Sequence, residues 1–222
     1  MTGVFKRLMP LVIFSTVAAS AHAGKGQINY VRQPPQSHIS FESSVVQPFA
    51  YTHFCQRYAD DCQFGNAHSR GPQITNLTPV KRLELESMNA EVNDSILPLP
   101  YQGDKTYATW RIAPVYGDCN DYAVTKRHRL LALGWSPQAL LLAEVITPEA
   151  IHHLVLVVRT RQHDYVLDNL TTHIYGWEDT PYEWVRIQSP YDSVLWSKVK
   201  TPRLELRYRA VQLNKALSNA KS

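Results

Sequence analysis

The chain is poor in cysteine, with three in 222 residues, and nearly balanced in charge, at +4 with histidine neutral. Three cysteines are too few for a scaffold held by multiple disulfides. Cys55 and Cys62 lie close together near His53 and His68, but no second ligand pair stands at zinc spacing, so zinc is the weaker reading of that pair. The positive excess is small and scattered, which argues against nucleic acid as a partner. The basic tail from Arg203 to Lys221 reads as a solvated terminal face. There is no glycine-rich phosphate loop, no Ser-His-Asp alternative, no EF-hand loop, no repeat and no low-complexity block.

Long apolar runs are also missing beyond the first residues. Met1 to Ala23 has a basic start at Lys6 and Arg7, an apolar stretch from Leu8 to Ala19, and the small-residue pattern Ala21-His22-Ala23. That layout predicts a cleaved secretory signal peptide over residues 1–23, and hence a periplasmic protein. Loss of Lys6 and Arg7 lowers the charge from +4 to +2. Residues 24–47 are polar and contain Pro34-Pro35, which predicts an extended or partly disordered lead-in. Residues 48–222 are then one domain, long enough to bury a core.

Thr78-Pro79 reads as an N-cap followed by proline at the first helical position, and Leu85, Met88, Val92 and Ile96 recur on one face. A helix over 79–96 follows. Asp118 is a good N-cap for a second helix of about fifteen residues, with a stripe of Tyr122, Ala123, Leu130 and Leu133 ending at Gly134. Leu140 to Ile146, His153 to Arg159 and Asp164 to Leu170 read as strands, as do Trp184 to Ile187 and Leu204 to Tyr208. The order predicts an α+β domain with an antiparallel sheet.

This layout puts Cys119 in the first turn of a helix, where unpaired N–H groups and the helix dipole favour a thiolate. An exported protein that keeps an odd cysteine has it either buried or in use. If His153 to Val158 pairs with His163 to Asp168 across the loop 159–162, His153 faces Asp168 on one side of the sheet. His152 then points to the other face. A thiol, an imidazole that takes its proton and a carboxylate that orients the ring form an activated nucleophile, here Cys119, His153 and Asp168. Trp110 and His152 are weaker candidates for lining a substrate cleft or shaping the oxyanion site. The backbone N–H of Cys119 is the expected oxyanion donor. Asp118 and Asp121 offer oxygen ligands for a calcium ion, although Asp118 as a helix cap is the simpler reading. The spacing of Cys55 and Cys62 would let them close a small disulfide loop in an oxidising compartment.

At Gly117-Asp118-Cys119-Asn120-Asp121-Tyr122, His153-Leu154-Val155-Leu156 and Val166-Leu167-Asp168-Asn169-Leu170, the chain resembles the bacterial transglutaminase-like cysteine proteinases. This exported family belongs to the papain-like transglutaminase superfamily. The resemblance spans roughly Pro48 to Val199 and extends to the Phe54-to-Cys62 segment and to Trp110. It implies a Cys119-His153-Asp168 triad, and a nucleophile helix packed on an antiparallel sheet bearing the other two residues; the chemistry of the triad itself requires no cofactor, with calcium a possible addition. Relatives of this kind are periplasmic proteinases that clip a large adhesin, answer to an inner-membrane receptor and need calcium. The family usually reads Asp-Cys-Glu-Asp, whereas Asn120 follows the cysteine here; the position of His152 is often small.

The reading is therefore a cysteine peptidase acting on a protein substrate through a thioester. Acyl transfer to an amine shares the same first step and is told apart by an isopeptide product. A non-catalytic exported binding module is told apart by an inert Cys119. Substrate and oligomeric state are open at this level.

Overall fold

The computed structural model describes residues 38–64, 74–99 and 109–200. The first strand, β1 (Phe41–Val45), precedes helix α1 (Phe49–Arg57) and a 3-10 turn at Ala59–Cys62. Helix α2 (Pro79–Ser95) leads to β2 (Leu97–Pro98), which pairs in parallel with β3 (Tyr116–Gly117) just before helix α3 (Cys119–Ala132). The remaining strands are β4 (Leu140–Ile146), β5 (His152–Arg159), β6 (Asp164–Leu167), β7 (Tyr175–Gly176), β8 (Glu183–Gln188) and β9 (Trp196–Val199). All but β2 and β3 join one antiparallel sheet in the order β1-β9-β8-β4-β5-β6-β7. The architecture is α+β, as the order of elements predicts.

Local chemistry explains the helices. Thr78 caps α2 by accepting from the Lys81 N–H at 3.3 Å, and Leu85, Met88, Val92 and Ile96 are all buried, as the stripe requires. Each such side chain contributes about 1.5–3 kcal/mol by leaving water. Helix α3 ends at Gly134, whose φ of +83° suits a residue without Cβ. Its expected stripe holds at Tyr122, Ala123 and Leu130 but not at Leu133, which is exposed because it already belongs to the helix cap. Arg127, fully buried, donates from Nε to the Leu140 carbonyl at 3.1 Å and from Nη1 to the Asp61 carbonyl. It thereby ties α3 to the central strand and to the loop that the Cys55–Cys62 disulfide closes, with Cα atoms 5.6 Å apart.

Two clusters make up the core. The helices, Trp110 and Trp196 pack with Leu140, Leu142, Leu154, Leu156, Val158 and Leu167. Alternate residues of the same strands, Leu141, Ala143, Val145, Val155, Val157 and Val166, join Trp177, Tyr182 and Trp184 in the second cluster. A sheet buried on both faces accounts for the near-continuous apolar runs of β4 and β5.

Three expectations are corrected. Phe41–Val45 is no lead-in: it pairs with β9 as the sheet's edge strand, so the folded domain starts before residue 48. The β5–β6 register is Leu156↔Leu167 through Arg159↔Asp164, two residues beyond the one expected. Thr160 causes the shift, because its hydroxyl accepts from the Gln162 and His163 N–H groups and donates to the His163 carbonyl, closing a turn over 160–163. The third concerns β6, which ends at Leu167, leaving Asp168 beyond the strand. Residues 1–37, the basic tail, the strand expected at Leu204–Tyr208, and His68 lie outside the described residues. Among the described residues, no helix is long and apolar enough to cross a membrane.

Candidate active site

Cys119 is the first residue of α3, half-buried and free of any disulfide. Asp118 caps the helix, its Oδ1 accepting from both the backbone N–H and the side-chain amide of Asn120 at 3.1 Å. Asp121 answers by accepting from the Asp118 N–H at 3.3 Å, a reciprocal capping box built from two aspartates. Such a cap is worth about 1 kcal/mol and fixes the direction in which the first turn presents its cysteine. Gly117 is required here for space: a Cβ would lie 2.8 Å from both Asp121 Cβ and Ile96 Cγ2.

A shift of two residues preserves strand parity, so His153 and Asp168 still share a face. Asp168 becomes the diagonal neighbour of His153 instead of its direct partner, a gap that two side chains can span. His153 Nε2 lies 2.7 Å from Asp168 Oδ1, with both residues buried. With Nε2 committed to Asp168, Nδ1 is the ring nitrogen left for Cys119, whose thiol interacts with the imidazole electrostatically. Burial alone would push the His153 imidazolium down, but the bond to Asp168 and the interaction with Cys119 outweigh it and raise its pKa to about 9. The structure thus brings Cys119, His153 and Asp168 together at one end of the sheet.

Asp168 is held from several sides. Its Oδ1 also accepts from the Leu170 N–H at 3.0 Å, and its Oδ2 accepts from the Tyr182 hydroxyl. Burial works against the carboxylate, but these bonds and the imidazolium prevail and leave its pKa below the usual range. Two asparagines on α2 fix the chain beyond it. Asn93 donates to the Asp168 carbonyl at 3.0 Å, and Asn89 to the Thr171 carbonyl at 3.0 Å. A recess of about 390 Å³ has Asp168, Tyr175 and Tyr182 on its wall, but not Cys119 or His153, so it lies behind the aspartate and not on the thiol side.

Sequence reasoning did not find Tyr182, Lys126 or the two asparagines. Tyr182 comes from a loop fourteen positions after Asp168, in an aromatic-rich segment where no local pattern distinguishes it. Lys126 carried a readable signal: it interrupts the buried stripe of α3 between Ala123 and Leu130, two turns after Cys119. It is fully buried, and its Nζ has no hydrogen-bond partner among the described residues. Burial pushes its pKa down to about 7 against the opposing pull of Asp168.

The weaker candidates fall elsewhere. Trp110 is 4% exposed and packs on Tyr51 and Phe54 with ring centroids 5.8 and 6.2 Å away, so it is a core residue. His152 points into solvent and bonds Glu144 at 2.8 Å, outside the buried network. Asp118 and Asp121 do not fit a calcium site as they stand. Asp118 is engaged in capping, and the carboxylate of Asp121 is taken by Arg111, whose backbone N–H reaches Oδ1 at 2.7 Å and whose Nη2 reaches Oδ2 at 2.9 Å. Among the described residues, no three His, Cys, Asp or Glu side chains are grouped to hold a metal.

The sequence model of the bacterial transglutaminase-like cysteine proteinases, BTLCP, matches residues 41–203, well over half the chain. The chain belongs to this family. It is a transglutaminase-like cysteine peptidase. Solved structures similar to this BTLCP chain include calcium-bound LapG of Legionella pneumophila, at 22% identity and a TM-score of 0.46, covering 57% of this chain and 75% of that one. A second LapG structure aligns at 22% identity and a TM-score of 0.45, over 55% and 71% of the two chains. An EGTA-treated LapG aligns at 20% identity and a TM-score of 0.44, over 58% and 75%. No curated protein matches the chain. The match begins at Phe41, the first residue of β1.

Proposed function

We propose that this peptidase cleaves a protein substrate in the periplasm through a thioester, with Cys119 as nucleophile, His153 as proton carrier and Asp168 as the residue that orients the ring. One observation carries the reading: a buried imidazole bonded through Nε2 to Asp168 at 2.7 Å and interacting with the thiol at the start of α3. The start of the sequence, with its basic, apolar and small-residue segments, supports export, and a disulfide suits an oxidising compartment.

In the first half-reaction the proton shared by Cys119 and His153 rests on Nδ1, and Sγ attacks the scissile carbonyl carbon. The oxyanion that forms takes a hydrogen bond from the Cys119 backbone N–H, which has no intrahelical partner in the first turn. The C–N bond breaks as the imidazolium returns its proton to the departing amine, leaving an acyl-thioester. His153 then takes a proton from water; the hydroxide attacks the thioester, and the thiolate leaves and is reprotonated. Asp168 stays ionised throughout and holds the imidazolium. Calcium enters none of these steps. A surface adhesin is the proposed class of substrate and an inner-membrane receptor the proposed regulator, both resting on the family.

The direct test is cleavage of a candidate adhesin by the wild-type chain and by Cys119→Ala. A new N-terminus formed only by wild type is the expected result. Cleavage that survives in Cys119→Ala would contradict the assignment, and an isopeptide product in place of a new N-terminus would move the chemistry to acyl transfer.

A further inference from the structure

We propose that the Arg111 guanidinium does the work of a divalent cation at the start of the nucleophile helix, so that this chain holds its site without calcium. The inference does not depend on the proteolytic reading. Its ground is the set of oxygens that Arg111 collects. Nη2 donates to the Asp121 carboxylate and also to the Tyr116 carbonyl, each at 2.9 Å, and the Arg111 backbone N–H takes the other Asp121 oxygen at 2.7 Å.

A carboxylate and a backbone carbonyl, drawn together from either side of Gly117 and Asp118, are the hard oxygen ligands that calcium selects. Here a fixed positive charge cross-links them. Asp121 is 1% exposed, so its charge requires a cation at hand, and no other cationic side chain bonds it among the described residues. Arg111 is itself anchored, because the neighbouring Trp110 is packed in the core against Tyr51 and Phe54. Asn120 fits the same account. As a neutral side chain it donates its amide to Asp118 at 3.1 Å, and with Arg111 in place an acid there would have no metal to serve. A calcium ion on Asp121 would have to sit beside the guanidinium, at a cost in like-charge repulsion that neither ligand offsets.

The test is calcium titration by calorimetry together with thermal melting of the purified chain, in EGTA and in roughly 10 mM calcium, above the weakest range of protein calcium sites. The wild type is expected to melt at the same temperature in both and to show no saturable uptake. Saturable calcium binding by the wild type, with melting several degrees higher than in EGTA, would overturn the proposal. Arg111→Met leaves the Asp121 carboxylate and the Tyr116 carbonyl without a cation. That variant is expected to melt lower in EGTA and to be raised by calcium but not by sodium at equal ionic strength. An Arg111→Met chain that folds and whose melting ignores calcium would also overturn it; if that variant does not fold, the wild-type titration decides alone. Neither readout uses proteolysis, so the outcome stands apart from the fate of the proposed triad.

Discussion

The hydroxyl of Tyr182 binds the one oxygen of Asp168 that His153 leaves free. The carboxylate is therefore gripped along both C–O bonds, and the ring of Tyr182 also lies 5.8 Å from that of His153. Tyr182→Phe removes one charge-assisted hydrogen bond and keeps the packing. The expected result is a fall of about tenfold in kcat with KM little changed, because such a bond is worth about 1.5–3 kcal/mol and only part of that is felt in the transition state. A Tyr182→Phe enzyme with unaltered kcat would show that Asp168 is positioned without it.

Leaving-group departure needs a protonated imidazole. His153, held up to about 9 by Asp168 and Cys119 against the effect of burial, predicts that kcat/KM falls on the alkaline side near that pH. Asp168→Asn leaves burial and removes the carboxylate, so the alkaline limb moves to lower pH and activity drops by roughly a hundredfold or more. A pH–rate profile of the two enzymes checks both statements.

The same groups set stability. His153 has a folded pKa above its ordinary value of 6.5, so its contribution, about 3 kcal/mol, is complete below pH 6.5 and is lost as pH rises through about 9. Lys126 runs the other way: its folded pKa of about 7 lies below its ordinary 10.5, so its cost is full below pH 7 and fades as pH rises through 10.5. Lys126→Met is accordingly expected to gain a few kcal/mol at pH 6, and the gain shrinks toward pH 10. It also removes the positive charge that faces Asp168, so activity should fall while stability rises. Urea unfolding across this range, paired with activity, checks the opposed signs.

The Cys55–Cys62 bridge closes the loop that Arg127 grips through the Asp61 carbonyl, away from the thiol. A Cys55→Ala, Cys62→Ala chain should lose about 2 kcal/mol and melt roughly 4–8 °C lower, with the alkylation rate of Cys119 unchanged. A calorimetric scan and a thiol assay on the same sample measure both.

The helices that carry the site were legible because caps and apolar periodicity are local: Thr78-Pro79, Asp118 and Gly134 mark ends that the structure keeps. Helix α1 was not read from its sequence, since its buried face is only Tyr51 and Phe54 in an otherwise polar segment. The face shared by His153 and Asp168 was legible, because parity survives a shift of two, but the register was not. It turns on the side chain of Thr160, whose hydroxyl closes the turn over 160–163, one residue later than the loop expected. Trp110 shows the reverse limit, because a tryptophan reads alike as cleft wall or as core until its neighbours are known. Arg111, Lys126 and Tyr182 act through partners from five to more than forty positions away, and one chain read by itself does not give such pairings.

If Cys119 and His153 act as one unit, the rate of Cys119 alkylation by iodoacetamide against pH separates wild type and His152→Ala from His153→Ala. Wild type and His152→Ala are predicted to react readily at pH 6, where an ordinary thiol is almost inert, and His153→Ala to lose that acid-side reactivity. Equal profiles in all three, each following an ordinary thiol, would contradict the account.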